Sequence, residues 1–386
     1  MKIITATREL AAFCQRAHEC AYVTIDTEFE RERTYFAKLC LIQMALPSRG
    51  PEDAVLIDPI QGNVNLAPFY AILQSESVIK VMHAARQDIE IFFEDSGRSP
   101  RRIYDTQVAA RICGYGDQRG YADLVKTICG MTISKSSRNT NWSRRPLDGR
   151  QKLYALGDVT HLRDIYEYLD SKIRQMGREE WGAEEMRALT DPETYVNHPE
   201  DAWRRLKHGK ASSEYLSVLR ELAAFRENQA KSGNIQRGRV LKDEVLLELA
   251  SSKPLSIQEI GRSRLIPKRA CGGQIAEGIL KAVRAGIDCP PELHPRTGSA
   301  MADSRQSNSA LADLLRVLLK AKAEEYGVSA RLVAKTADIN ALSEGKRNLA
   351  VLRGWRMEVF GRDALRICDG KSALVAREGE VVMVDL

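Results

Sequence analysis

Four short runs rich in Val, Ile and Leu, at Tyr22–Phe29, Lys38–Leu46, Ala54–Pro59 and Val78–His83, are bounded by Gly, Pro, Ser or Asp and read as strands. After Trp181 strand signals stop until Ser372–Leu386, where apolar runs on either side of Arg377–Glu380 predict a hairpin. This confinement restricts the fold more than any other feature. A sheet has to come from the first strands, and helices have to cover it. Three closely spaced strands predict an antiparallel meander. Helical patterns over Asp88–Phe93, Thr106–Cys113, Tyr121–Cys129 and Leu147–Gln175 complete a mixed α/β domain over 1–190.

The rest of the chain reads as helical. Residues 191–210 carry Pro192, Pro199 and Gly209 and predict a linker. From 211 to 288, Leu216, Leu219, Leu222, Ala223 and Phe225 fall at spacings of three and four behind Ser212 or Ser213 as N-cap, opening a small all-α module. Its later helices are expected over Val240–Ala250, after Pro254, and from Pro267 to Gly286. A Pro/Ser/Gly-rich stretch, 289–309, predicts a connector. A second helical unit, 310–386, ends in the hairpin.

Charge divides unevenly along the chain. The net +6 resolves into −3 over residues 1–200, +7 over 201–300 and +2 over 301–386. A basic middle third beside a slightly acidic first half suits a nucleic-acid-binding module next to a domain that gathers carboxylates, and also suits a solvated surface. The eight cysteines form no CxxC pair and no zinc-spaced cluster, so reduced, mostly buried thiols are expected. No stretch has the roughly 18 consecutive apolar residues of a membrane span, and the first residues lack the build of a secretory signal. A cytoplasmic protein with no membrane partner is expected.

Within the first strand, Asp26 and Glu28 are two residues apart and therefore share a side. Paired carboxylates in an apolar run repel each other and lose hydration unless a cation sits between them, and oxygen ligands suit Mg²⁺ or Mn²⁺. An edge strand with both side chains in water is the plain alternative. Asp88 follows a strand at the start of a helix, and Tyr154 and Asp158 lie one above the other at i and i+4. Three carboxylate-bearing segments and a phenol can thus meet, as two-metal phosphoryl chemistry requires.

The ordered segments TIDTEFERERTYFAKLCLIQMA, HAARQDIEIF, SRNTNWSRRPL and LYALGDVTHL closely resemble the ribonuclease D family of DEDD 3′-to-5′ exonucleases. ELAAFRENQAKSGNIQRGRVLKDEVLLELA resembles the HRDC module that follows the nuclease there, and LRGWRMEVFGRDALRICDG the family's second, divergent HRDC-like unit. The resemblance implies a ribonuclease H-like α/β exonuclease domain followed by two small all-α domains. It implies two divalent ions, Mg²⁺ or Mn²⁺. Asp26 would bridge them, Glu28 and Asp158 would complete the water-activating site, and Asp88 would support the second ion. Tyr154 matches the tyrosine of the DEDDy branch and would orient the attacking water. The implied activity is release of nucleoside 5′-monophosphates from the 3′ ends of tRNA precursors and other structured RNA, with no protein partner indicated.

Other residues carry two readings each. Phe29 and Gln43 contact the terminal nucleotide or belong to the sheet core; His83 touches substrate or is satisfied in the core; Asp105 belongs to the site or caps a helix. Lys135, Arg138, Trp142, Arg144 and Arg145 form a nucleic-acid-binding loop or a solvated loop anchored by one Trp. In the basic third, Arg237, Arg239 and Lys242, with Arg262, Arg264, Lys268 and Arg269, are candidate phosphate contacts. The family pattern carries a proline where Asn234 stands. A DNA exonuclease and an RNA-binding scaffold with a dead nuclease are the alternatives. The second requires a missing carboxylate, and none is missing.

Overall fold

The computed structural model describes residues 2–134, 136–138, 140–209, 211–262, 265–266, 271–295 and 309–386. They fall into two compact units. One joins Met1–Glu30, Leu39–Tyr195 and Arg305–Leu386; the other joins Arg31–Lys38 and Val196–Ser304.

The first unit is built on a six-stranded sheet of β1 (Lys2–Ile4), β2 (Tyr22–Glu30), β3 (Lys38–Ala45), β4 (Ala54–Ile57), β5 (Ile79–Met82) and β6 (Ile103–Asp105), in the order β1-β4-β3-β2-β5-β6. β4 runs antiparallel to β3 and parallel to β1, while β2, β5 and β6 are mutually parallel, so the sheet is mixed. Central strands are apolar on both faces because both faces are covered. Ile42 and Met44 of β3 pack with Ile4, Leu10 and Phe69 on one side. That side carries α1 (Thr7–His18), α2 (Ala67–Gln74) and α3 (Arg86–Ser96).

The other face is lined by α4 (Thr106–Ile112), α5 (Tyr121–Leu124, running into a π turn through Cys129) and the 27-residue α6 (Gly149–Gln175). A capping box between Asp148 and Gln151 starts α6. Cys40, Leu41 and Leu56 meet Trp142, Leu147 and Ala155 under it. α7 (Glu179–Thr190) packs along the β6 edge.

The C-terminal region, with α13 (Ser309–Tyr326), α14 (Ala330–Val333), α15 (Thr336–Ser343), α16 (Gly354–Arg356), α17 (Arg362–Cys368) and the hairpin β7 (Ser372–Arg377) to β8 (Glu380–Asp385), belongs to this same unit. Its buried Leu315, Leu332, Trp355 and Phe360 form one cluster with Val108, Ile112, Ile165, Leu169 and Met186 of the nuclease helices.

The second unit contains α8 (Ser213–Ser232), α9 (Arg237–Val240), α10 (Asp243–Ser252), α11 (Ile257–Ile260) and α12 (Gly273–Ile287). Ser212 caps α8 through the Tyr215 N–H. Leu216, Leu219, Leu222 and Ala223 pack on Leu246, Leu249, Ala276, Ile279 and Val283. Gly286 permits the close α8–α12 crossing, since a Cβ there would lie 2.4 Å from Val218 Cα. Within 191–209 the chain forms two 3₁₀ turns, and Ala202, Trp203 and Leu206 join this core. Asn234 has φ +44°, which proline's fixed φ forbids, and its Oδ1 accepts from the Phe36 N–H at 3.1 Å.

Candidate active site

The end of β2 delivers Asp26 and Glu28 to the sheet face covered by α6, where Asp158 meets them. One carboxylate oxygen from each of the three lies within 4.8 Å of the others. Asp88, in the first turn of α3, lines the same cavity of about 440 Å³, together with Tyr154, Tyr121, Phe29, His83 and Arg138. An adjoining cavity of about 350 Å³ shares Tyr154 and Asp158 and adds Arg150 and His161.

The electrostatics are those of acids packed together without enough positive charge. Removal from water, followed by the charges of Asp158, Asp88 and Glu28, pushes the Asp26 carboxyl well above the usual range. Burial, then the charges of Asp158 and Asp88, brings Glu28 up to about 9. Burial raises Asp88 and Asp158 to about 7 each, partly offset by hydrogen bonds from Thr27 and Tyr154 respectively. A donor set of carboxylate oxygens alone, converging and mutually destabilised, fits hard divalent cations, whose charge removes the repulsion. Burial and the neighbouring carboxylates raise the Tyr154 phenol, so it stays protonated.

Sequence spacing gives no sign of the supporting contacts. Thr27 Oγ1 donates to Asp88 across 61 residues of chain. Asp105 caps α4 through the Gln107 and Val108 N–H groups, and its carboxylate also accepts from Ala84 N and Ala85 N at 3.0 and 2.9 Å. Ala84 has φ +56°, so Asp105 holds a strained turn that starts α3 and aims Asp88. The cap reading of Asp105 therefore describes a residue that also shapes the site. Tyr121, which spacing marks only as part of a helix, donates its hydroxyl to Gly157 O at 2.8 Å.

Several candidate nucleotide contacts sit elsewhere. Gln43 is fully buried in the sheet, and Trp142, 2% exposed, packs in the core beside Tyr154. Neither is open to a base. Arg145 is held by two bonds to Asp58, at 2.5 and 2.8 Å, and by the Cys40 carbonyl, so its charge is satisfied inside the fold. Arg237, half-buried, grips the buried Glu227 through two 2.6 Å bonds and covers the Tyr35 ring, so its guanidinium is engaged within the fold. Burial alone would raise Glu227, but hydrogen bonds from Arg237, Tyr35 and Asn197 outweigh it and bring the carboxyl down to about 2. His83 lines the cavity while its Nδ1 lies 3.0 Å from Thr106 Oγ1, and burial lowers its pKa. Phe29 and Arg138 remain at the cavity, and Arg144, Arg239, Lys242 and Arg262 are exposed. Lys135, Arg264, Lys268 and Arg269 lie outside the described residues.

A 3′-5′ exonuclease domain model matches residues 1–174 and an HRDC domain model matches residues 216–283. The chain is 50% identical to a ribonuclease D of Jannaschia over 99% of both chains, and 41% identical to one of Nitrobacter hamburgensis over the full length of both. The chain belongs to the ribonuclease D family. It is accordingly an enzyme of the 3′-to-5′ exoribonuclease class, and RNA is its substrate class. The crystal structure of Escherichia coli RNase D, described as an exoribonuclease involved in structured RNA processing, superposes with a TM-score of 0.84 at 28% identity, covering 96% of this chain and 98% of that one. Among the described residues of this ribonuclease D family member, no helix is long and apolar enough to cross a membrane.

Proposed function

We propose that this enzyme removes single nucleotides as 5′-monophosphates from the 3′ ends of structured RNA such as tRNA precursors, using two divalent cations. The observation that carries this reading is the convergence of Asp26, Glu28, Asp88, Asp158 and Tyr154 on one cavity. Asp26, Glu28 and Asp158 would hold one ion and Asp26 with Asp88 the other; when bound, the pair supplies water activation and neutralises charge on the leaving oxygen. Hydrolysis breaks the bond from phosphorus to the leaving 3′ oxygen and forms one to the water oxygen. Tyr154 keeps its proton, donates to Asp158 and orients the water, because a phenol raised above its ordinary pKa is a poor base at neutral pH. Thr27 and Asp105 fix the approach of Asp88. Phe29 offers a ring for the terminal base, and Arg138 a charge for its phosphate. Arg144, Arg239, Lys242 and Arg262 are exposed cations for more distant phosphates.

The test is digestion of 5′-labelled, 3′-extended tRNA and a matched single-stranded DNA, with Mg²⁺, with Mn²⁺ and with chelator. Stepwise, metal-dependent shortening of the RNA alone, with 5′-monophosphate products, is expected. Equal shortening of the DNA would overturn the RNA selectivity, and products carrying 3′-phosphates would overturn the chemistry.

A further inference from the structure

Gln43 is wholly buried, and neither end of its amide has a hydrogen-bond partner. Burying an unpaired amide is costly, so a core position holding one asks for an explanation. Its surroundings supply it. On β3, Gln43 pairs with Leu56 of β4, which packs under α6, whereas Ile42 pairs with Ile57 in the opposite core, so Gln43 faces α6. Thr24 on β2 faces the same way, since its Oγ1 donates to Val159 O of α6 at 2.8 Å. Thr24 Oγ1 also lies 3.5 Å from the Ala45 carbonyl, and β2 and β3 are sheet neighbours. The seven residues joining them are too few for a parallel crossover. Two residues forward on β2 and two back on β3, Asp26 and Gln43 are cross-strand neighbours on one face. Such neighbours have Cβ atoms about 4.5–5.5 Å apart, within reach of a glutamine side chain.

We infer that Gln43 is a positioning residue for Asp26: its amide, unpaired in the metal-free protein, turns on cation binding to donate its N–H to the Asp26 carboxylate and fixes the orientation in which that carboxylate holds the cation. The inference rests on the metal-site reading above. Partners of this kind orient metal ligands, and their removal typically weakens metal affinity about 10- to 100-fold.

The experiment is calorimetric titration of Mn²⁺ into the full chain and into Gln43→Leu, with melting curves of both metal-free proteins. Leucine is apolar, only one heavy atom smaller, and removes an unpaired amide, so melting is expected at the same temperature or higher. Mn²⁺ affinity is expected to fall about tenfold or more. Unchanged affinity in the variant overturns the role of Gln43 alone, whereas absence of Mn²⁺ binding by the unaltered chain overturns the metal site itself. The ¹⁵N-labelled Gln43 side-chain amide of the unaltered chain gives a reading independent of the variant's folding. It is expected to shift on addition of Mg²⁺, and a resonance that does not move contradicts the inference.

Discussion

The two helical regions that follow the nuclease sheet in sequence are stabilised in different ways. The middle one, 211–288, closes its own core of α8, α10 and α12, with the ionic strut of Glu227, Arg237, Tyr35 and Asn197 at one end. The C-terminal one contributes its apolar side chains to the same cluster as α4, α6 and α7 of the nuclease. There Trp355 stacks on Trp181 at 4.6 Å, Arg178 and Arg356 cover the outer rings, and Trp355 Nε1 donates to Glu185 at 3.2 Å. Similar helical content thus serves two purposes. One region is a module beside the nuclease in sequence, and the other is part of the packing that keeps nuclease helices in place.

The largest expected effect tests that contrast. Trp355→Ala should cost about 3–5 kcal/mol, as truncation of a buried aromatic does, and the loss should appear in the melting of the nuclease itself. Leu222→Ala, an equally buried truncation in the middle module, should leave hydrolysis of a short single strand unchanged. If Trp355→Ala leaves nuclease melting where it was, the shared core is not one cooperative structure.

The next effect distinguishes the regions by pH. Glu227→Gln should destabilise the middle module by about 3 kcal/mol, because Arg237 loses its buried partner. The Glu227 carboxyl lies below its unfolded value, so its contribution is present above about pH 4.5 and is lost as pH falls toward 2. The nuclease carboxylates lie above theirs, so metal-free nuclease should instead lose stability as pH rises from about 4 through 7 to 9. Fluorescence melts across that range check both directions. Parallel pH profiles for the two regions would contradict the assignment.

The smallest effect concerns RNA. Replacing Arg239, Lys242 and Arg262 together with Gln should reduce the salt dependence of RNA binding, by a slope of about 0.7 for each phosphate that is no longer neutralised. Charge replacement on the C-terminal region should leave the slope alone. An unchanged slope in the triple variant would remove the middle module from the RNA-binding surface.

Much of the site is legible in the sequence because its logic is local. The i, i+2 pair on a strand and the i, i+4 pair on a helix follow from backbone periodicity, and both pairs face the cavity as spacing requires. The sheet's central strands are legible for the same reason. β1, with three residues, gives too little periodicity to read, and the role of Ile103–Asp105 as sheet edge depends on pairing with β5. Sequence reasoning fails for polar residues whose partners are distant along the chain. Arg145 finds Asp58 at a separation of 87 residues, and Tyr35 finds Glu227 at 192. Basic residues near a basic run read as RNA contacts until a buried acid claims them. Gln43 and Trp142 each keep two readings in the sequence, a nucleotide contact or a part of the fold's own packing, because sequence gives residue type and no depth.

In the proposed function, four carboxylates that are partly protonated in the metal-free protein become a cation site by releasing those protons. Calorimetric titration of Mn²⁺ near pH 7, repeated in buffers of different ionisation enthalpy, measures this directly. Binding that releases protons is expected, with loss of both the binding and the release in Asp26→Asn. Binding without proton release, or an Asp26→Asn variant that binds like the unaltered chain, would contradict it.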